Sequence, residues 1–138
     1  MAKKPTKTWV FAPQKPAKHK VPDDLKAVVQ SKANELVEQV LKPQHVKPPP
    51  DEPRFNYIID LWAKWHQSYF YFGATYACPG PHAISPTFES KFARLGYAGD
   101  NRFSLAYLRH NDKWFVISPS LTMDQCLEAV RGGGPFTP

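Results

Sequence analysis

The spacing of apolar residues changes along the chain, and each change marks an element. From Pro22 to Lys42 they recur every three or four places, at Leu25, Val28, Val29, Ala33, Leu36, Val40 and Leu41, with Lys26, Lys32, Asn34, Glu35 and Glu38 between them. That period predicts an amphipathic helix lying against an apolar sheet face. Pro22, Asp23 and Asp24 mark its start and Lys42-Pro43 its end. Between Phe55 and Cys78 the period drops to two. A turn near Trp65-His66 predicts a hairpin with Tyr57, Ile59, Leu61, Phe70, Phe72, Ala74 and Tyr76 on the core side and Asp60, Trp62, Tyr69, Tyr71 and Thr75 on the other.

From Phe88 to Ser118 the alternation continues through two polar pairs, Asp100-Asn101 and Asn111-Asp112, both of residues that tolerate the left-handed backbone of a tight hairpin. A two-residue loop at each sets Leu95 opposite Ala106 and Leu108 opposite Phe115. In that register Ala93, Leu95, Tyr97, Ala106, Leu108, Phe115 and Ile117 face the core, and Phe92, Arg94, Phe103, Leu105, Tyr107, Arg109, Trp114 and Val116 face away. A closing helix begins at Thr122, with Gln125 completing a capping box, Leu121 stapled to Cys126, Leu127 and Val130 buried, and Gly132-Gly133-Gly134 as its stop. The glycines follow a helix rather than precede one, so they do not form a phosphate-binding loop. The predicted class is α+β: an N-terminal helix, a four- to five-stranded antiparallel sheet built from two hairpins as a meander, and a C-terminal helix.

Proline and charge refine this picture. Fifteen prolines in 138 residues is about twice the ordinary share of roughly 5%, and they cluster between the apolar segments. Pro48-Pro49-Pro50 makes residues 43–54 a stiff connector, and Cys78 to Pro86 a shaped loop. The net charge of +6 is local. Lys3, Lys4, Lys7, Lys15, Lys18 and Lys20 lie in the first 22 residues without an acid, and the remaining basic and acidic residues balance at twelve each. Residues 1–21 therefore read as a flexible basic arm on a neutral single domain, 22–138. Such an arm favours a polyanionic partner, or serves only solubility. Trp9-Val10-Phe11 within it is a candidate added edge strand. No apolar run reaches the length that spans a bilayer, the basic first residues lack the apolar stretch of a secretory leader so none is expected, and two distant cysteines give no disulfide framework. A cytoplasmic, membrane-free location is expected.

Candidate chemistry is sparse. Cys78 and His82 are a single ligand pair without a second, so no metal and no cofactor is expected. Asp60, an acid within an aromatic strand, is the candidate for a desolvated carboxyl, against the plainer reading of a solvent-facing charge. The outward face has two readings. Either it is covered, by the arm or by a second subunit, or it is a platform on which Trp62, Tyr71, Arg94, Tyr107, Arg109 and Trp114 meet a ligand, with Lys3, Lys4, Lys15 and Lys18 contributed by the arm. Three functions follow: a non-catalytic nucleic-acid or ribonucleoprotein accessory module, a protein-interaction or homodimer module, and a small-molecule enzyme with a pocket near Asp60. Binding is expected rather than catalysis.

Asn56-Tyr57-Ile58-Ile59-Asp60, Tyr69-Phe70-Tyr71-Phe72, Cys78-Pro79-Gly80-Pro81 and Lys91-Phe92-Ala93-Arg94 together resemble a small bacterial family of unknown function, from about Val21 to the end. The resemblance implies a bacterial cytosolic origin and carries no catalytic or binding residue with it.

Overall fold

The structure is a computed structural model, and it describes residues 20–49, 51, 55–81 and 83–138. Residues 1–19 of the arm, with Trp9-Val10-Phe11 and the lysines at 3, 4, 15 and 18, lie outside the described residues, as does His82; Val21, the last residue assigned to the arm, is buried.

Helix α1, Asp23–Leu36, runs without a break through a π-turn, Val37–Leu41, into a last turn, α2, Lys42–His45. The π-turn has a geometric cause. The row that the helix buries is Val29, Ala33, Val37 and Leu41, every fourth residue. At 3.6 residues per turn such a row drifts about 40° per step. One wider turn, in which Lys42 N–H bonds back to Val37 O, restores the row to the sheet. It directly precedes Pro43, where an ordinary helix would press the proline ring against the carbonyl four residues back. The helix thus outlasts its predicted end at Lys42-Pro43, and the connector begins at Val46.

Five strands follow as an antiparallel meander in the order β1-β2-β3-β4-β5: Tyr57–His66, Tyr69–Ala77, Thr87–Gly99, Arg102–Leu108 and Trp114–Thr122. Helix α3, Met123–Gly132, closes the fold with the predicted Thr122 and Gln125 capping box. Gly133 ends it at φ 79°, and Phe136 folds back into the core against Tyr107. The helices lie on one face of the sheet. There Val29, Ala33, Val37, Leu41, Cys126 and Val130 pack against Leu61, Phe70, Phe72, Ala93, Leu95, Phe103 and Leu105. Trp65 Nε1–H donates to Lys26 O at 3.1 Å and Gln30 Nε2–H to Ala63 O at 2.8 Å, which fixes α1 along β1.

The register corrects the predicted faces in β4. Asp100 and Asn101 do form the turn, both at positive φ, but Ala98 bulges between the pairs Tyr97↔Phe103 and Gly99↔Arg102, so Leu95 meets Leu105 rather than Ala106. A shift of one residue turns every side chain over. Phe103, Leu105 and Tyr107 therefore join the covered face, and Ala106 and Leu108 the open one. The next loop has three residues, not two: Arg109 N–H bonds Lys113 O, Asp112 N–H bonds Arg109 O, and Asp112 takes φ 63°. This is a turn closed by a left-handed residue, and it pairs Leu108 with Trp114 instead of Phe115. The second slip cancels the first, leaving Trp114 and Val116 on the open face as predicted. A further bulge in β3 sends Phe92 to the covered side, where it meets Phe72. The first hairpin turns at Gln67-Ser68, two residues beyond the predicted turn. An even shift preserves the faces from Leu61 onward, but a bulge at Ile59 gives Ile58 the inward place and takes Tyr57 and Ile59, both predicted to face the core, out of it.

Candidate functional site: a cation-bearing aromatic face

Among the described residues nothing covers the other side of the sheet. Strand pairing places Trp62 and Lys64 from β1, Tyr69, Tyr71 and Gly73 from β2, Lys91, Arg94 and Gly96 from β3, and Trp114 from β5 on this one face. The two glycines act as berths. A Cβ at Gly73 would fall inside the Trp62 indole, and one at Gly96 would stand 2.9 Å from the Tyr69 ring. Both rings can therefore lie down on the sheet. Tyr71 and Trp114 lean together at 5.8 Å between centroids.

Each of these rings has a cation over it. Lys64 Nζ stands 4.4 Å from the Trp62 ring centre, Lys91 Nζ 4.7 Å from Tyr71, and the Arg94 guanidinium 4.5 Å from Tyr69 and 4.9 Å from Trp114. Such contacts hold long side chains in place at about 0.5–1 kcal/mol each where exposed. The result is a row of charges supported from beneath by rings.

A cleft of about 390 Å³ opens on the same face, lined by Trp62, Glu89, Ser90, Lys91, Leu108, Asp112 and Trp114. It exists because β3 pairs with β4 only as far as Ala93↔Tyr107. Beyond that point β3 stays with β2, and the β4–β5 loop stands apart from it.

Of the residues proposed from sequence, Trp62, Tyr71, Arg94 and Trp114 come together here. Two do not. Tyr107 packs on the helix side with Phe115 and Phe136, and Arg109, exposed at the loop, lies over Phe115 on that same side. Both departures follow from the one-residue bulge at Ala98. Sequence reading passed over Lys64, Lys91 and the two glycines; Lys64, Gly73 and Gly96 lie on the outward parity two residues from Trp62, Tyr71 and Arg94, which is the signal that finds them, whereas Lys91 is turned outward only by the bulge at Phe92. Asp60 is more than half exposed, accepts from Leu61 N–H at 2.9 Å and pairs with Lys42 at 3.2 Å, and it does not line this cleft. Lys42 also holds Glu38 at 2.7 Å, and that bond, more than Asp60, raises its pKa above the usual lysine value. Cys78 is half-buried beside a second cavity, about 490 Å³, at the loop between β2 and β3. Among the described residues no three His, Cys, Asp or Glu side chains cluster as metal ligands, and no helix is long and apolar enough to cross a membrane.

Fold and face together define a one-sided α+β sheet protein with a cationic, ring-paved surface. Residues 21–134 match the family described as Domain of unknown function (DUF3024), and the chain belongs to that family. No curated protein and no solved structure matches it.

Proposed function

We propose that this protein is a non-catalytic module that binds single-stranded nucleic acid along the open face of its sheet. The observation that carries the reading is the interleaving of rings and cations, with Lys64, Lys91 and Arg94 each held over Trp62, Tyr71, Tyr69 or Trp114. Phosphates meet the N–H groups of these cations, while bases stack on the guanidinium plane and on ring surface between the cations. A broad sheet suits an unpaired strand, whose bases can splay over it, better than a duplex groove. The six lysines of residues 1–22 add attraction that is independent of sequence and sensitive to salt.

Fluorescence anisotropy with single- and double-stranded oligonucleotides at two salt concentrations tests this. Arg94→Ala and Trp114→Ala should each weaken single-strand binding by about 5- to 150-fold, the range for removing one stacking partner. Arg109→Ala, on the other side of the sheet, should leave it unchanged. Replacing Lys3, Lys4, Lys15 and Lys18 with glutamine should lower the salt slope by roughly 0.7 for each phosphate no longer neutralised. Absence of binding to any oligonucleotide at low salt removes the proposal.

One observation favours a second reading. Phe115, Val116 and Ile117 are 41–47% exposed on β5, an edge strand with no described neighbour on its outer side, and such an edge invites pairing with another chain. Sedimentation across a concentration series would show self-association if a second copy pairs there.

A further inference from the structure

The open face reverses its charge at one place. Lys64, Lys91 and Arg94 make it cationic, yet the cleft beside Trp62 and Trp114 is bordered by the carboxylates of Glu89 and Asp112. Neither is in an ion pair among the described residues. An ionised carboxylate only accepts hydrogen bonds, so it repels phosphate and takes a group that presents N–H. Trp62 and Trp114 give the cleft two indole walls, and its volume is at the small end for ligand clefts, which run from about 300 to 1,000 Å³. That suits one flat ring rather than a folded element.

Resting on the proposed binding of single strands, we infer that this cleft is a nucleobase site that selects guanine. Guanine alone among the common bases offers two adjacent donors, N1–H and N2–H, on its Watson–Crick edge, and these match the two oxygens of one carboxylate, as a bidentate, charge-assisted pair. Uracil and thymine offer one N–H flanked by two carbonyls, which a carboxylate repels; adenine and cytosine offer a single amino group beside a ring acceptor. Glu89 is the acceptor best placed. It sits on β3 two residues from Lys91, whose ammonium supplies a donor for the guanine O6 next to N1. Asp112, across the cleft on the β4–β5 loop, adds negative charge that keeps phosphates outside, over the cation row. The Nε1–H of Trp62 is buried without a hydrogen-bond partner, a state that costs about 1–3 kcal/mol.

The test uses the full chain and heptamers of thymidine carrying one guanine, adenine, cytosine or hypoxanthine at the centre, compared by competition anisotropy. A central guanine should raise affinity about 5- to 150-fold over all-thymidine, the span expected of one bidentate base contact. Hypoxanthine keeps N1–H and O6 but lacks the 2-amino group, and should lose most of that gain. Glu89→Gln should abolish the gain while leaving all-thymidine binding unchanged or slightly tighter. Equal affinity for every central base overturns the guanine site and leaves the single-strand reading standing. A guanine preference that survives in Glu89→Gln, or is the same for hypoxanthine, also overturns it. Failure of every heptamer to bind overturns the reading beneath it as well.

Discussion

Gly73 and Gly96 have no side chain, and that is what lets Trp62 and Tyr69 lie against the sheet. A ring that stood upright would expose its edge and lose the cation above it, so two apparently weak strand residues determine the surface chemistry of the face. Leu105 and Leu108 show how fine the same control is elsewhere. They are three apart in one strand, and the pattern of alternation alone sets Leu108 in the core. The bulge at Ala98 reverses this: Leu105 is 1% exposed and touches the core, whereas Leu108 is half-buried at the cleft. Leu105→Ala should therefore cost roughly 2–5 kcal/mol by leaving a cavity, and Leu108→Ala clearly less. Urea titration of both variants checks the order, and equal costs would refute the register.

At the scale of elements, what could be read in advance was whatever depends on local chemistry. The capping box at Thr122, the glycine stop at Gly133 and the left-handed pair Asp100-Asn101 follow from the residues themselves. So do the faces of the first hairpin from Leu61 onward, because a turn misplaced by two residues keeps parity. Bulges depend on how neighbouring strands twist against each other, and nothing in the tripeptide Tyr97-Ala98-Gly99 announces one apart from its glycine; β4 was hidden for that reason, and Tyr107 and Arg109 with it. Helix α3 adds a measurable consequence. Cys126 is fully buried against the sheet, and burial pushes its thiol up to about 12 from 9.0. The unfolded chain ionises this thiol from about pH 9 while the folded one does not. Its stabilising effect is therefore complete below pH 9 and is lost as pH rises toward 12, at about 1.4 kcal/mol per unit. Tyr76, raised by burial, and Lys42, raised by Glu38, titrate in the same alkaline region with the same sign. Comparing unfolding free energies of wild type and Cys126→Ala between pH 8 and 11 cancels their share. The variant should be less stable at pH 8, and the gap should narrow steadily with pH; a constant gap would mean that the thiol ionises in the folded state too.

The molecule as a whole is asymmetric in two ways. Both helices cover one face of the sheet and leave the other to the cation row, and the surplus charge of the chain lies within its first 22 residues. Which face stays open was half legible, since Trp62, Tyr71, Arg94 and Trp114 declare it by parity while the cleft arises only from the parting of β3 and β4. Residues 1–19 carry few large apolar side chains. Removing residues 1–19 should consequently change stability by less than about 1 kcal/mol, with the urea midpoint and slope both retained. A loss above about 2 kcal/mol would show that Trp9 and Phe11 pack on the domain. The same deletion should reduce affinity for oligonucleotides without altering the preference among bases, because preference belongs to the sheet.

The π-turn at Val37–Leu41 has a historical consequence. A chain lacking one residue between Val37 and Leu41 would bury positions spaced four, four and three apart, within the ordinary stripe of a regular helix, in place of the unbroken fours of Val29, Ala33, Val37 and Leu41. The same face would meet the same sheet either way. An insertion or deletion of one residue is thus absorbed here at the cost of a single turn's geometry, whereas in any strand it would turn half a face over. Among relatives of this protein, differences in helix length should collect in this turn and leave the strands in step.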